Sequence, residues 1–221
     1  MNIIPIDTTL SVFYSINNLD EIISKISSKI PESYERTSQN EVGPTGVQFQ
    51  AYLFRNKKIN IIIRPSRLDV SYASENSVDS NVILDILKKI DSIQSITINR
   101  IALNHAGFIE DSDYKYLNNF KNTINLSSYN IKNELTLRFN SNTILFDTEI
   151  NDITTFHSGI VTNNATFEKV HALVINKDIN TVNDMYKFTN LEDLKKHFDS
   201  LLSHFNSEKN TIVELVCGGD Q

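Results

Sequence analysis

Two acidic pairs and a handful of arginines are the residues whose types and spacing could do chemistry. Asp147 and Glu149 flank Thr148 near the end of an expected strand, and side chains two apart on a strand share a face. Two carboxylates so placed are the beginning of a divalent-metal site for hydrolysis, as in two-metal nucleases. A nuclease would add a third acid and a nearby lysine, and no such spacing follows this pair. Asp111 and Asp113 flank Ser112, which fits a helix N-cap with favourable dipole contacts more simply than a metal site.

The chain has only six arginines, and three of them punctuate apolar strands. Arg64 follows Ile61–Ile63, Arg100 lies in Ile98-Asn99-Arg100-Ile101, and Arg138 sits between Leu137 and Phe139. A guanidinium emerging from a sheet can pair bidentately with a carboxylate or a phosphate. If these strands adjoin, Arg64, Arg67 and Arg100 line a basic groove fit for a nucleotide or another small anionic ligand. Internal pairing with the acids is the competing expectation.

The remaining chemistry is sparse. His105, His157, His171, His197 and His204 form no HxH or HExxH pattern. His197 and His204, seven apart on a helix, stand about 10 Å apart along its axis, so they are expected at the surface or its boundary. His171 alternates with Val170 and Ala172 and faces the other side of its strand. Cys217 has no recognisable His/Asn frame, and no GxSxG elbow or phosphate-binding glycine motif is present. Gly43-Pro44-Thr45-Gly46 reads as a tight turn. No cofactor is expected.

Composition narrows the classes. The chain has 221 residues, 40% hydrophobic, with 21 Lys plus Arg against 27 Asp plus Glu and a net charge of −6. That apolar supply excludes a disordered chain, and a single Cys excludes a disulfide framework. The acidic balance and scattered lysines argue against nucleic-acid or anionic-membrane partners. The longest aliphatic run, Ile61–Ile63 with Ile59 before it, is far short of the about 20 residues of a membrane span. Met1–Leu10 lacks the basic start of a secretory leader, so the cytoplasm is the expected compartment. The 27 Asn, with abundant Ile, Lys, Phe and Tyr, fit A/T-rich codon usage, as in a bacterium or phage.

The elements that must position these residues follow from periodicity. Leu10, Phe13 and Ile16 mark a first strand within Thr8–Ile16. Leu19, Ile22, Ile23, Ile26 and Ile30 then repeat at helical spacing after Asn18. Residues 31–46 read as a polar loop. Val47–Leu53, Ile59–Ile63 and Leu68–Tyr72 alternate as strands, and Val82–Ile90 is a second amphipathic helix. A strand is expected within Ile93–Leu103, and a weaker helix over Asp111–Phe120. Glu134–Ile150 reads as a hairpin turning at Asn140-Ser141-Asn142, with Ile144 and Phe146 on its return strand. Phe167–Ile179 gives another strand. A strong helix carries Leu191, Leu194, Phe198, Leu201, Leu202 and Phe205, and Thr211–Val216 is a short strand or a frayed continuation. Grouped rather than alternating elements predict an α+β fold, mainly antiparallel, with amphipathic helices packed on one face and two similar halves. The chain reads as one compact unit, with a soft division into 1–110 and 111–221.

Ile98-Asn99-Arg100-Ile101, after the helix at 81–91, resembles the midpoint strand Leu-Arg-Tyr-Ile-Asn-Arg-Ile of a sporadically distributed, uncharacterised bacterial protein family. Ser95-Ile96-Thr97 replaces the Leu-Arg-Tyr portion. The order around it is also similar: an early strand, a strand with Arg64-Pro65-Ser66-Arg67-Leu68, an Ile175–Asp178 strand and a closing helix. The resemblance implies a bacterial cytosolic protein, inherited patchily like mobile or defence-linked genes, with no known activity.

Together these features lead to the expectation of a non-enzymatic protein-interaction component of a bacterial or phage mobile element: a defence accessory, an antitoxin-like inhibitor or a counter-defence factor. Its partner is another protein, and self-association is compatible with this reading. The alternatives are a metal-dependent hydrolase using Asp147 and Glu149, and a ligand sensor using Arg64, Arg67 and Arg100.

Overall fold

In the computed structural model, described for residues 3–73, 78–128, 135–145, 147–162, 166–182 and 190–217, one antiparallel sheet of nine strands runs through the molecule. The first half consists of β1 (Ile4–Phe13), α1 (Leu19–Ile26), a meander of β2 (Glu35–Val42), β3 (Gln48–Arg55), β4 (Ile59–Arg64) and β5 (Arg67–Ala73), then α2 (Ser80–Asp91). The second repeats the scheme with one strand fewer: β6 (Arg100–Glu110), α3 (Lys115–Thr123), β7 (Thr136–Leu145), β8 (Thr148–Thr162), β9 (Lys169–Thr181) and α4 (Leu191–Cys217). In each half the last meander strand pairs back onto the first strand, β5 on β1 and β9 on β6. β1 and β6 pair with each other, so the order is β2-β3-β4-β5-β1-β6-β9-β8-β7.

This is the expected α+β architecture, and the helices lie on one face. Leu10, Val12, Leu68, Val70, Ile61, Ile63, Ile101 and Leu103 form a core with α1, α2 and the first half of α4. Ile109, Phe156, Leu173 and Ile175 form a second core with α3 and the end of α4. These strand residues share one parity across the paired registers, so they project to the same side. Side chains cap three helix starts. Asn18 accepts the Glu21 N–H, Asp79 the Asn81 N–H, and Asn190 the Asp193 N–H.

Several expectations shift. The expected loop over 31–46 contains the edge strand β2, whose side chains are almost all exposed and so carry no apolar alternation. The hairpin turn is not at Asn140-Ser141-Asn142. β7 runs straight through those residues to Leu145, because polar side chains suit an edge strand, and Asp147, just before β8, is a turn residue with φ 55°. Phe146 lies outside the described residues. β6 begins at Arg100 rather than near Ile93. Asp111 stands before α3, where its carboxylate accepts the Tyr116 and Leu117 N–H groups. α4 continues through 211–216 as helix, because Ile212 and Val216 bury against the second core. No helix among the described residues is long and apolar enough to cross a membrane.

Candidate functional site

The three sequence-selected arginines do come together, on the face of the sheet opposite the helices. Arg64 pairs with Arg67 in register across β4 and β5, Arg67 with Phe13 across β5 and β1, and Phe13 with Arg100 across β1 and β6. The Arg67 and Arg100 guanidinium carbons lie 5.0 and 4.8 Å from the centre of the Phe13 ring, a cation–π arrangement.

Their charges are unevenly compensated. Arg64 forks onto Glu41, at 2.6 Å from Nε and 3.1 Å from Nη2, and also pairs with the buried Asp69. Arg67 Nε donates to Asp69 Oδ1 at 2.6 Å, and Ser11 Oγ donates to the same oxygen, also at 2.6 Å. The Arg64 hydrogen bonds, opposed by partial burial, hold the Glu41 carboxyl below its usual range. Arg100 has no ion pair among the described residues, and its buried Nε has no hydrogen-bond partner. Three cations against two carboxylates leave one positive charge on the row. The basic groove is thus largely neutralised from within, and Arg100 is its uncompensated member.

Away from this row, the face opposite the described helices is polar. The Asn151 amide donates to Asn180 Oδ1 at 3.4 Å, and the Asn180 amide to Asp178 Oδ1 at 3.0 Å, linking β8 and β9. Asn104, Asn176 and Thr155 share this parity. Ile144, 71% exposed on the edge strand β7, projects apolar surface toward the same side.

Asp147 and Glu149, the alternative metal pair, fall on different elements. Asp147 sits in the turn before β8, and Glu149 is an exposed strand residue accepting a hydrogen bond from the Asn142 amide at 3.1 Å. A left-handed turn residue is outside the strand alternation that would have set both carboxylates on one face.

A different charged group, unforeseen from sequence, lies under α4. Lys177 on β9 is 3% exposed. It pairs with Asp152 of β8 and Glu208 of α4, and donates to Thr154 Oγ1 at 3.0 Å. His204 Nε2 donates to Asp152 Oδ2 at 2.7 Å and lies 3.8 Å from Glu208 Oε1. Burial alone would raise the Asp152 carboxyl, but hydrogen bonds from Lys177 and His204 hold it below the usual carboxylate range. The signal was present in the sequence. Asp152, Thr154 and Lys177 interrupt apolar residues of inward parity, and His204 and Glu208 stand four apart beside Leu201, Phe205 and Ile212.

The other histidines divide. His197, expected at the surface or its boundary, is buried, its Nδ1 donating to the Asp193 carbonyl at 2.7 Å and its Nε2 lying 3.4 Å from Thr148 Oγ1. His171 contacts Tyr114, with ring centres 5.0 Å apart. His105 is buried between Thr8 and Phe205. No protein-family model matches the chain, and none of the curated proteins compared with it does.

Proposed function

We propose that the chain is a non-enzymatic protein-interaction component whose recognition surface is the helix-free face of the sheet, anchored at Arg100, Phe13 and Arg67. One observation carries this reading: Arg100, stacked on an aromatic ring, has no ion pair among the described residues and lies on the face opposite the described helices. Arginine and aromatic side chains are the commonest energetic anchors of protein interfaces. Held by Phe13 and the strand backbone, this one gives up little side-chain freedom on docking. The matching partner presents a carboxylate to Arg100 and hydrogen-bonding side chains to the asparagine strip. Stacking on the ring also favours this protein-type contact over a free nucleotide, since the other two arginines already hold carboxylates. The likeness at Ile98–Ile101 adds a mobile-element or defence setting to the proposal.

The test is capture of a partner from a lysate of the source organism, comparing the wild-type chain with three variants. Arg100→Glu and the exposed Asn176→Arg alter the helix-free face, and Lys88→Glu alters the helix side. A protein retained by wild type and Lys88→Glu but lost from both open-face variants supports the reading. Capture indifferent to Arg100 and Asn176, or none at all, overturns it.

A further inference from the structure

The charged group under α4 offers more than an ion-pair anchor. We propose that Asp152, His204 and Glu208 form a binding site for a divalent transition-metal cation of the zinc class, with Lys177 as the group that orients both carboxylates. Nothing in the reading of the helix-free face depends on this site, which lies on the other side of the sheet.

The argument begins with the helix. His204 and Glu208 are four residues apart on α4 and project to one side of it, the side from which β8 presents Asp152. One ligand atom from each residue, His204 Nε2 together with a carboxylate oxygen of Asp152 and of Glu208, lies within 4.8 Å of the other two. Tetrahedral ligands at about 2.0–2.1 Å from zinc stand about 3.3 Å from one another. The 2.7 Å and 3.8 Å separations at His204 Nε2 bracket that spacing, so small side-chain rotations suffice. Binding replaces the His204–Asp152 hydrogen bond with two bonds to the ion, the Nε2 proton leaving to solvent while Nδ1 carries the N–H of the neutral ring.

The four oxygens of the two carboxylates are divided between two tasks. Lys177 pairs with Asp152 Oδ1 and Glu208 Oε2. The opposite oxygens, Asp152 Oδ2 and Glu208 Oε1, are the ones facing His204. This is the arrangement of an outer shell that fixes ligating carboxylates through their second oxygens, by an ion pair at Asp152 and a hydrogen bond at Glu208. Thr154 Oγ1, accepting from Lys177, locks the ammonium in turn.

Charge and access agree with the assignment. Two carboxylates against one ammonium leave one negative charge on the group when His204 is neutral. Asp152 is buried, whereas the Glu208 side chain is 38% exposed, so solvent and an ion reach the cluster from the α4 surface. The donor set sorts the candidate ions. One imidazole nitrogen and two carboxylate oxygens suit zinc and its neighbours. Calcium takes six to eight oxygens, and magnesium keeps several waters in an octahedron. A fourth ligand position remains for water.

The experiment is calorimetric titration of the chelator-treated full chain with Zn²⁺, and separately with Mg²⁺, alongside the visible absorption of bound Co²⁺. Wild type is expected to take up one Zn²⁺ per chain, to give the intense visible bands of four-coordinate Co²⁺, and to ignore Mg²⁺. Glu208→Ala, partly exposed and therefore tolerated by the fold, should weaken Zn²⁺ binding by at least about tenfold, since even outer-shell losses cost 10–100-fold. His204→Gln should abolish the Co²⁺ bands. Substituting the exposed His157 by Gln should change nothing. Absence of Zn²⁺ uptake by wild type overturns the proposal and leaves the group as an ion-pair anchor for α4. Uptake that survives both Glu208→Ala and His204→Gln overturns it equally, by placing the ion elsewhere.

Discussion

Protonating His105 should weaken this protein from within. His105, on β6, is 7% exposed, wedged beneath α4 with its ring centre 4.5 Å from that of Phe205. Nδ1 lies 2.8 Å from Thr8 Oγ1, and Nε2 is buried without a partner. An imidazolium needs two acceptors here, and only one oxygen is in place. Burial first, and then the charge of Lys209, push the histidine down from 6.5 to about 4. A folded-state value below the unfolded one means that the unfolded chain binds the proton first. Stability from this group is therefore complete above pH 6.5 and is lost as the pH falls toward 4. At about 1.4 kcal/mol per factor of ten in proton affinity, the loss is about 3 kcal/mol, most of it incurred by pH 4.5. That is a large share of the 5–15 kcal/mol typical of a folded chain. Carboxylates such as Asp152 and Glu41 weaken in the same direction on acidification, so wild type alone does not isolate the histidine. Urea denaturation of wild type and His105→Gln at pH 7.5, 6, 5 and 4.5 does. The wild-type free energy should fall by about 2.5 kcal/mol more than that of the variant over this range. Parallel pH profiles would refute the reasoning.

Three further outcomes follow from packing and capping. Phe198→Ala empties a fully buried site where α4 meets the first core and should cost about 3–5 kcal/mol in urea denaturation. A loss below about 1 kcal/mol would show that α4 does not close that core. Gly107→Ala would set its Cβ 2.6 Å from Ile3 Cγ2 and 3.2 Å from the Ile4 carbonyl oxygen, destabilising by about 1–3 kcal/mol. Combining it with Ile3→Ala, which removes the clashing methyl, should cost less than the two separate losses together. Asp111→Ala releases two backbone N–H groups at the start of α3. It should cost about 1–2 kcal/mol, with amide exchange accelerating in α3 and not in α2.

The fold class was legible because each half writes its periodicities plainly, with Leu19 to Ile30 and Leu191 to Phe205 for helices and Val47 to Leu53 for a strand. What stayed hidden had physical causes. β2 is an edge strand with neither face covered, so selection for alternation is weak there. The straight passage of β7 through Asn140-Ser141-Asn142 turns on its position at the sheet margin, where polar residues need no core partner. Arg64, Arg67 and Arg100 could be picked out and a shared groove imagined, but not that Phe13 stands between Arg67 and Arg100, since strand order alone joins β1 to β5 and β6. The charged group under α4 combines β8, β9 and a helix that begins ten residues past β9. Its five members are separated by up to 56 positions, and only the closed fold brings an inward-facing Lys177 to its acids.

α4 closes both cores, and it is the element that leaves the ribosome after all nine strands. Leu194, Phe198, Leu201 and Phe205 complete the core built by the first half, and Ile212 and Val216 the one built by the second. Until that helix is synthesised, α1, α2 and α3 cover only part of the sheet's apolar side, and the strip that α4 closes stays open to water. During translation the nascent chain is therefore a client for holdase chaperones, and a stop codon anywhere before α4 condemns residues more than a hundred positions upstream to aggregation or proteolysis.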